Sequence, residues 1–197
     1  MAPIFRTWLV LGVALLAVLP AASPAPRERP AIDEALLRPG DLLFRAGDSV
    51  HSAAVLAAQG NGWSHVGIVV RAGSGALEVI HAAPADEPGE FDGVRRASLA
   101  EFARHAHKLG AYRPQSAAAA SYAAAHAEQY LGRPFDSRLD GDSDAELYCT
   151  ELITAAFQGS DLPLEPARTR YTVPMLGAVS VIEPNALAAI PMLSRIL

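Results

Sequence analysis

Cysteine is almost missing from this chain: Cys149 stands alone among 197 residues. A lone thiol excludes an intramolecular disulfide and any zinc site built on paired cysteines. Lysine is equally scarce, Lys108 being the only one, and acidic side chains outnumber Lys plus Arg by 21 to 16. With a formal charge of −5 there is no basic excess to suggest nucleic acid, and so mild an acidity singles out no partner. No internal repeat and no second domain show in the pattern. The apolar run from Trp8 to Leu19 is shorter than the ~20 residues that a comfortable membrane span needs.

What the chain does have begins at its N-terminus. Arg6 precedes that apolar run, and Pro20-Ala21-Ala22-Ser23-Pro24-Ala25-Pro26 follows it. A positive start, a short apolar core and small residues at the end predict a secretory signal peptide over about 1–25. An uncleaved N-terminal anchor is the alternative, and no cysteine is there to take a lipid. A polar, proline-containing linker is expected over 26–35, then one domain over 36–197, long enough to bury a real core. The expected location is the periplasm or the outside of the cell. Exported proteins commonly pair their cysteines, so an unpaired one suggests either a reactive thiol or an intermolecular bridge.

Along the domain, Pro39-Gly40-Asp41 is turn chemistry leading into the apolar Leu42-Leu43-Phe44, a strand. Ser49 to Gln59 reads as a short helix that stops at Gly60-Asn61-Gly62. Trp63 to Val70 and Ala76 to Ala83, joined by Ala72-Gly73-Ser74-Gly75, predict an antiparallel hairpin. Val94-Arg95-Arg96 is a third strand, and Ser98 with Glu101 has the spacing of a capping box. Leu109 to Arg113 is a further strand, and Gln115 to Leu131 a helix with Tyr122, His126 and Tyr130 along one packing stripe. After Gly159 to Arg170, a loop, Tyr171 opens an apolar tail.

The chemistry gathers around Leu147-Tyr148-Cys149-Thr150-Glu151-Leu152-Ile153. Here an apolar i, i+3, i+4 helical pattern follows an acidic, turn-rich run. In the first turn of a helix a thiolate is stabilised by the positive helix end; the alternative is a buried structural cysteine. On the predicted hairpin, strand alternation puts His65 and Gly67 on one face and Val79 and His81 on one face, so the two imidazoles can lie side by side. Cys149, His65 and His81 then have the chemistry of a nucleophile, its base and an orienting group. Gly67 would leave room for the cysteine or a substrate. Alternation sets Glu78 on the face opposite His81, and His51, His105, His107 and His126 receive no catalytic role. Glu151 also reads simply as a helix-start carboxylate.

Asp140, Asp142, Asp144 and Glu151 fit the acidic positions of a calcium loop. Its glycine position holds Ala145, however, and Tyr148-Cys149 would fall inside it. A solvated acidic loop is therefore expected, with no metal site and no cofactor.

Five blocks carry a resemblance: Pro39-Gly40-Asp41-Leu42-Leu43-Phe44, Ser64-His65-Val66-Gly67-Ile68-Val69, Val79-Ile80-His81-Ala82, Gly132-Arg133-Pro134-Phe135-Asp136 and Tyr148-Cys149-Thr150-Glu151-Leu152-Ile153. In this order the chain resembles the YiiX/YebB-like family, a circularly permuted branch of the NlpC-type papain-like cysteine hydrolases related to lecithin:retinol acyltransferase. The resemblance implies an α+β, permuted papain-like fold, with an antiparallel sheet packed against the helix that bears the cysteine. It implies Cys149 as nucleophile, His65 as general base and His81 in the third polar position, where many YiiX-like members carry Glu. Further implied are the backbone N–H of Cys149 as an oxyanion donor, and Tyr148, Ser64 and Glu151 as oxyanion or pocket residues.

The resulting expectation is an exported cysteine hydrolase that cleaves amide or ester bonds through an acyl-enzyme thioester. The substrate would be a cell-envelope peptide or an acyl-containing lipid, with the apolar loops and tail favouring the latter and a place near a membrane surface. A non-catalytic ligand-binding module on the same fold, and an acyltransferase, are the alternatives; the oligomeric state is left open.

Overall fold

Turn chemistry starts the fold. In the computed structural model, which describes residues 30–197 apart from 86–88, 140, 142–144 and 174, Pro39-Gly40-Asp41 leads directly into strand β1 (Leu42–Gly47). Gly40 has φ +90°, and a Cβ there would sit 2.3 Å from the Ala120 carbonyl oxygen. Only glycine lets the turn lie this close to the helix that follows later in the chain. Asp41, 1% exposed, accepts from the Arg38 N–H at 2.7 Å and from Nε and Nη2 of Arg113 at 2.8 and 2.7 Å. The signal-peptide residues and the acidic Asp140, Asp142 and Asp144 lie outside the described residues.

Helix α1 (Val50–Gln59), capped by the Ser49 hydroxyl, runs to Gly60. Strands β2 (His65–Arg71) and β3 (Leu77–Ala83) form the expected hairpin, and β4 (Gly93–Ser98) pairs with β3. Ser98 and Glu101 form the capping box of the short helix α2 (Leu99–Ala103). Strand β5 (Ala106–Pro114) returns beside β1. Helix α3 (Ala117–Ala127) is shorter than the predicted span, its end tightening into a 3-10 turn over Glu128–Tyr130. Helix α4 (Cys149–Phe157) carries the cysteine at its first position.

The expected apolar tail is instead built structure. Strands β6 (Arg168–Val173) and β7 (Gly177–Ile182) make a second hairpin, α5 (Pro184–Ala188) follows, and β8 (Leu193–Arg195) adds to β5. The main sheet is antiparallel throughout, in the order β4-β3-β2-β1-β5-β8.

Alternation along the strands builds a core on each face. Leu42, Phe44, Val66, Ile68, Ile80 and Ala82 meet Ala123, Ala127, Leu152, Ile153, Ala156 and Phe157 of α3 and α4. Leu43, Val69, Val79 and Ala111 point the other way, onto Leu99 and Phe102 of α2. The Tyr122, His126 and Tyr130 stripe is a packing face: its polar atoms reach the carbonyls of Gln158, Ala156 and Ala155 at the end of α4. This latch fixes α4 against α3, and so fixes where its first residue lands on the sheet.

Asp41→Asn removes one oxygen acceptor from a buried two-pronged pair. The variant is expected to lose roughly 2–3 kcal/mol of stability in urea denaturation. An unchanged midpoint would show that the turn does not depend on Arg113.

Candidate active site

The strand register decides how the two histidines meet. Ile68 pairs with Ile80 and Val69 with Val79, which sets Gly67 opposite His81 and puts His65 diagonally across. Bridging that diagonal needs an empty space between the rings. A Cβ on Gly67 would come 2.4 Å from Cγ1 of Val79 and 3.0 Å from Cβ of His81. The room expected to serve a cysteine or a substrate is therefore taken by Val79 and His81. Across it, His65 Nε2 and His81 Nδ1 share a hydrogen bond of 3.0 Å. The rings stand edge to face, at 86°, and both pack against Phe102.

Cys149 arrives from the opposite face of the sheet. Helix α4 lies over β2, and its first residue reaches the start of that strand, where backbone N–H groups of Val66 and Thr150 approach the sulfur. A cavity of about 430 Å³ opens there, with Cys149, His65, Ser64 and Tyr148 on its wall. Its remaining lining is mostly apolar, with Val55 and Ala58 from α1 and Val173, Val179 and Val181 from the second hairpin. Such a volume lies within the range of small-molecule sites. Among the described residues, His65 Nδ1 makes no hydrogen bond and the thiol makes none to His65.

The other expected pocket residues serve the frame. Ser64 lines the cavity, while its hydroxyl accepts from the Gly47 N–H at 2.9 Å and donates to the Arg45 carbonyl at 3.3 Å. Tyr148 lines it too, and its hydroxyl accepts from the Ile182 N–H at 2.9 Å. Glu151 is absent from the cavity wall; its carboxylate turns back to the Tyr148 N–H at 3.4 Å and lies 3.8 Å from Arg168. Glu78 pairs with Arg96 at 3.0 Å, away from the imidazoles. Two cavity residues were missed in the sequence. His51 lines the cavity from α1, where its surroundings looked merely helical. Arg45 lines it too, from β1, at the end of the apolar run, where nothing in the sequence marks it; it is 5% exposed, lies over the Phe102 ring and donates to the Phe102 carbonyl at 2.8 Å.

Electrostatics at rest favour neutral groups. Burial pushes the Cys149 thiol up to about 11, although the amides of Val66 and Thr150 and the charge on Arg45 pull it back. The helix-end effect expected from the sequence is thus outweighed by loss of water, which disfavours the thiolate. Burial likewise holds His65 and His81 well below the ordinary imidazole value, and Arg45 and Arg95 press both further down. Glu151 is pushed up to about 7, mainly by burial, with Asp136 adding to it and the Tyr148 N–H and Arg168 opposing.

A family model described as "Permuted papain-like amidase enzyme, YaeF/YiiX, C92 family" matches residues 36–197. Among solved structures, the chain is similar to the metalloprotein YiiX of Escherichia coli O157:H7, at 21% identity and a TM-score of 0.67. That similarity covers 81% of this chain and 96% of that one. No curated protein matches. In this chain, no group of three or more His, Cys, Asp or Glu side chains among the described residues is placed to hold a metal ion.

Two outcomes follow from this geometry. Gly67→Ala is expected to cost roughly 1–3 kcal/mol by overpacking and to separate the imidazoles, read as loss of the hydrogen-bonded His81 ¹⁵N signature in NMR spectra. An intact pair in that variant would contradict the spacing argument. Below about pH 6.5 an unfolded chain protonates imidazoles that the folded protein keeps neutral, so acid destabilises the fold. Glu151 acts the other way between about pH 4.3 and 7, because only the folded state keeps its proton there. Two imidazoles against one carboxyl leave a net loss on going from pH 7 to 5, and Glu151→Gln steepens it; urea midpoints across that range check both.

Proposed function

We propose, from the premise that this chain belongs to the YaeF/YiiX family of permuted papain-like amidases, that it is an exported cysteine hydrolase acting on amides or esters with an apolar acyl group. The observation that carries the reading is the shared cavity, with Cys149 and His65 on its wall and His65 Nε2 already engaged by His81. That engagement leaves Nδ1 as the nitrogen that takes a proton.

Attack and proton transfer run together. As the Cys149 sulfur bonds to the substrate carbonyl carbon, its proton passes to His65 Nδ1, and the carbonyl oxygen takes up negative charge. The N–H of Cys149, the first amide of α4 and without a hydrogen-bond acceptor among the described residues, is the oxyanion donor. Collapse breaks the carbon–nitrogen or carbon–oxygen bond, and the leaving amine or alcohol takes the proton from His65. Water then gives a proton to His65, attacks the thioester, and releases the acid as the thiol is restored. A thiol that rests protonated suits this sequence, because the charged pair forms only once substrate fills the apolar cavity and brings its own dipoles.

The apolar walls support an acyl-containing substrate over a cell-wall peptide. The second hairpin also ends in exposed Met175 and Leu176, and Val50 at the start of α1 is exposed, which suits an amphipathic substrate near a membrane surface. A second reading has one observation in its favour. A thiol pushed up to about 11 also fits an inert cysteine in a cavity that binds an acyl ligand without turning it over. Acyl transfer differs only in the final acceptor, an alcohol or amine replacing water.

p-Nitrophenyl esters and anilides of increasing chain length separate these readings. Rates are expected to rise with chain length, with a mass adduct of one acyl group on Cys149. Cys149→Ala should abolish turnover, and His65→Ala should lower it by about 10²–10⁴-fold. Saturable acyl binding without any adduct would leave the binding module standing, and turnover surviving in Cys149→Ala would sink the nucleophile.

A further inference from the structure

On the far side of the histidine pair lies a second cavity of about 210 Å³, and His81 forms part of its wall. Arg45 lines both cavities. Arg95, Arg96 and Arg104 complete a set of four guanidinium groups, against two carboxylates, Glu90 and Glu101. Both carboxylates are engaged: Glu101 caps α2 through the N–H and hydroxyl of Ser98, and Glu90 pairs with Arg95 at 3.3 Å. Arg96 is held by Glu78 and Glu128. Arg104 is exposed, and its guanidinium makes no hydrogen bond or ion pair among the described residues. His105 also faces this space, 3.7 Å from Asp48. Among the described residues that line this concave space, guanidinium groups outnumber carboxylates, with Arg95 and Arg96 already ion-paired, and a buried imidazole stands beside them.

We infer that this second cavity binds a small oxyanion, a phosphate or a carboxylate, which accepts a hydrogen bond from His81 Nε2–H and so completes the catalytic relay from outside the chain. The regulatory half of this inference rests on the cysteine-hydrolase reading; the binding half does not. The tautomers carry the argument. Nδ1 of His65 can accept the thiol proton only if the ring's own proton is on Nε2. That proton is then donated along the 3.0 Å bond to His81 Nδ1. His81 must therefore carry its proton on Nε2. His81 is 3% exposed, and its Nε2 has no hydrogen-bond partner among the described residues. The opposite tautomer, with His81 donating, leaves His65 Nδ1 protonated and unable to act.

An acceptor in the second cavity favours the working tautomer, because it gives the His81 Nε2–H a partner that the other tautomer does not use. It also supplies what the pair lacks. In a nucleophile–imidazole–carboxylate triad the third group is negative and stabilises the imidazolium. Here the charges nearest the imidazoles are Arg45 and Arg95, which oppose it. An anion among these guanidinium groups reverses that field by charge-assisted hydrogen bonds.

The test has two arms, both on the signal-less full domain. In the first, inorganic phosphate or acetate is titrated at constant ionic strength while the imidazole ¹⁵N resonances are followed. A saturable shift at His81 Nε2, weakened tenfold or more in Arg104→Gln and Arg95→Gln, is expected. No saturable shift with either anion, or an equal shift with chloride, overturns the site. So does an unchanged affinity in both variants. In the second arm, iodoacetamide labelling of Cys149 at pH 7 is expected to accelerate several-fold with the same midpoint. Binding without acceleration overturns the coupling to the thiol. Failure of the acyl-enzyme experiment above leaves the NMR arm unaffected, so the two readings fall separately.

Discussion

One hydrogen bond across a diagonal organises this molecule. His65 and His81 belong to neighbouring strands but are not partners in register, and only the missing side chain at Gly67 lets their rings close to 3.0 Å. The bond turns two ordinary strand residues into one unit with an end on each of two cavities. It uses one nitrogen of each ring and so fixes which atoms remain for chemistry. The core on either side of the sheet serves this arrangement. Phe102 seats both rings from below, while Leu152, Ile153 and Phe157 hold the cysteine helix above.

Charge in the site is arranged by exclusion of water more than by attraction. The sulfur sits at a helix start, where partial positive charge favours a thiolate, yet burial prevails and the proton stays on. The imidazoles are kept neutral by the same burial and by Arg45 and Arg95. In the proposed hydrolase, reactivity then depends on what enters the cavities, because the protein's own groups are balanced against ionisation. Glu151, raised to about 7 at the root of the same helix, extends that balance to the backbone on which Cys149 stands.

Much of this was legible in the residues, for local reasons. Period-2 patterning, glycine-rich connections and the Ser98–Glu101 cap fixed the first hairpin and α2, because each is decided within a few residues. The side-by-side histidines followed from alternation alone. Packing across the sequence was harder to read. The hairpin from Arg168 to Ile182 alternates, but its polar positions and its exposed apolar tip hid it behind the look of a tail. Arg45 drew no reading from the sequence, and only its cross-strand partner His65 and the Phe102 ring make it part of the site. The resting state of the thiol was hidden for the same reason: a helix start is visible in the sequence, and the packing that takes water from around the sulfur is not.

The second hairpin is bound to the helix start on both sides of the sulfur. The Ile182 N–H donates to the Tyr148 hydroxyl, and the Ile182 carbonyl accepts from the Thr150 hydroxyl at 2.8 Å. One residue of the cavity wall thus holds the neighbours that precede and follow Cys149. Within the two strands of the hairpin only Val179 and Ile182 are buried. A guest that spreads this wall would pull on the peptide units flanking Cys149, in the manner of a lever whose short arm is the cysteine. The cavity wall and the backbone on either side of the sulfur are thereby one connected piece.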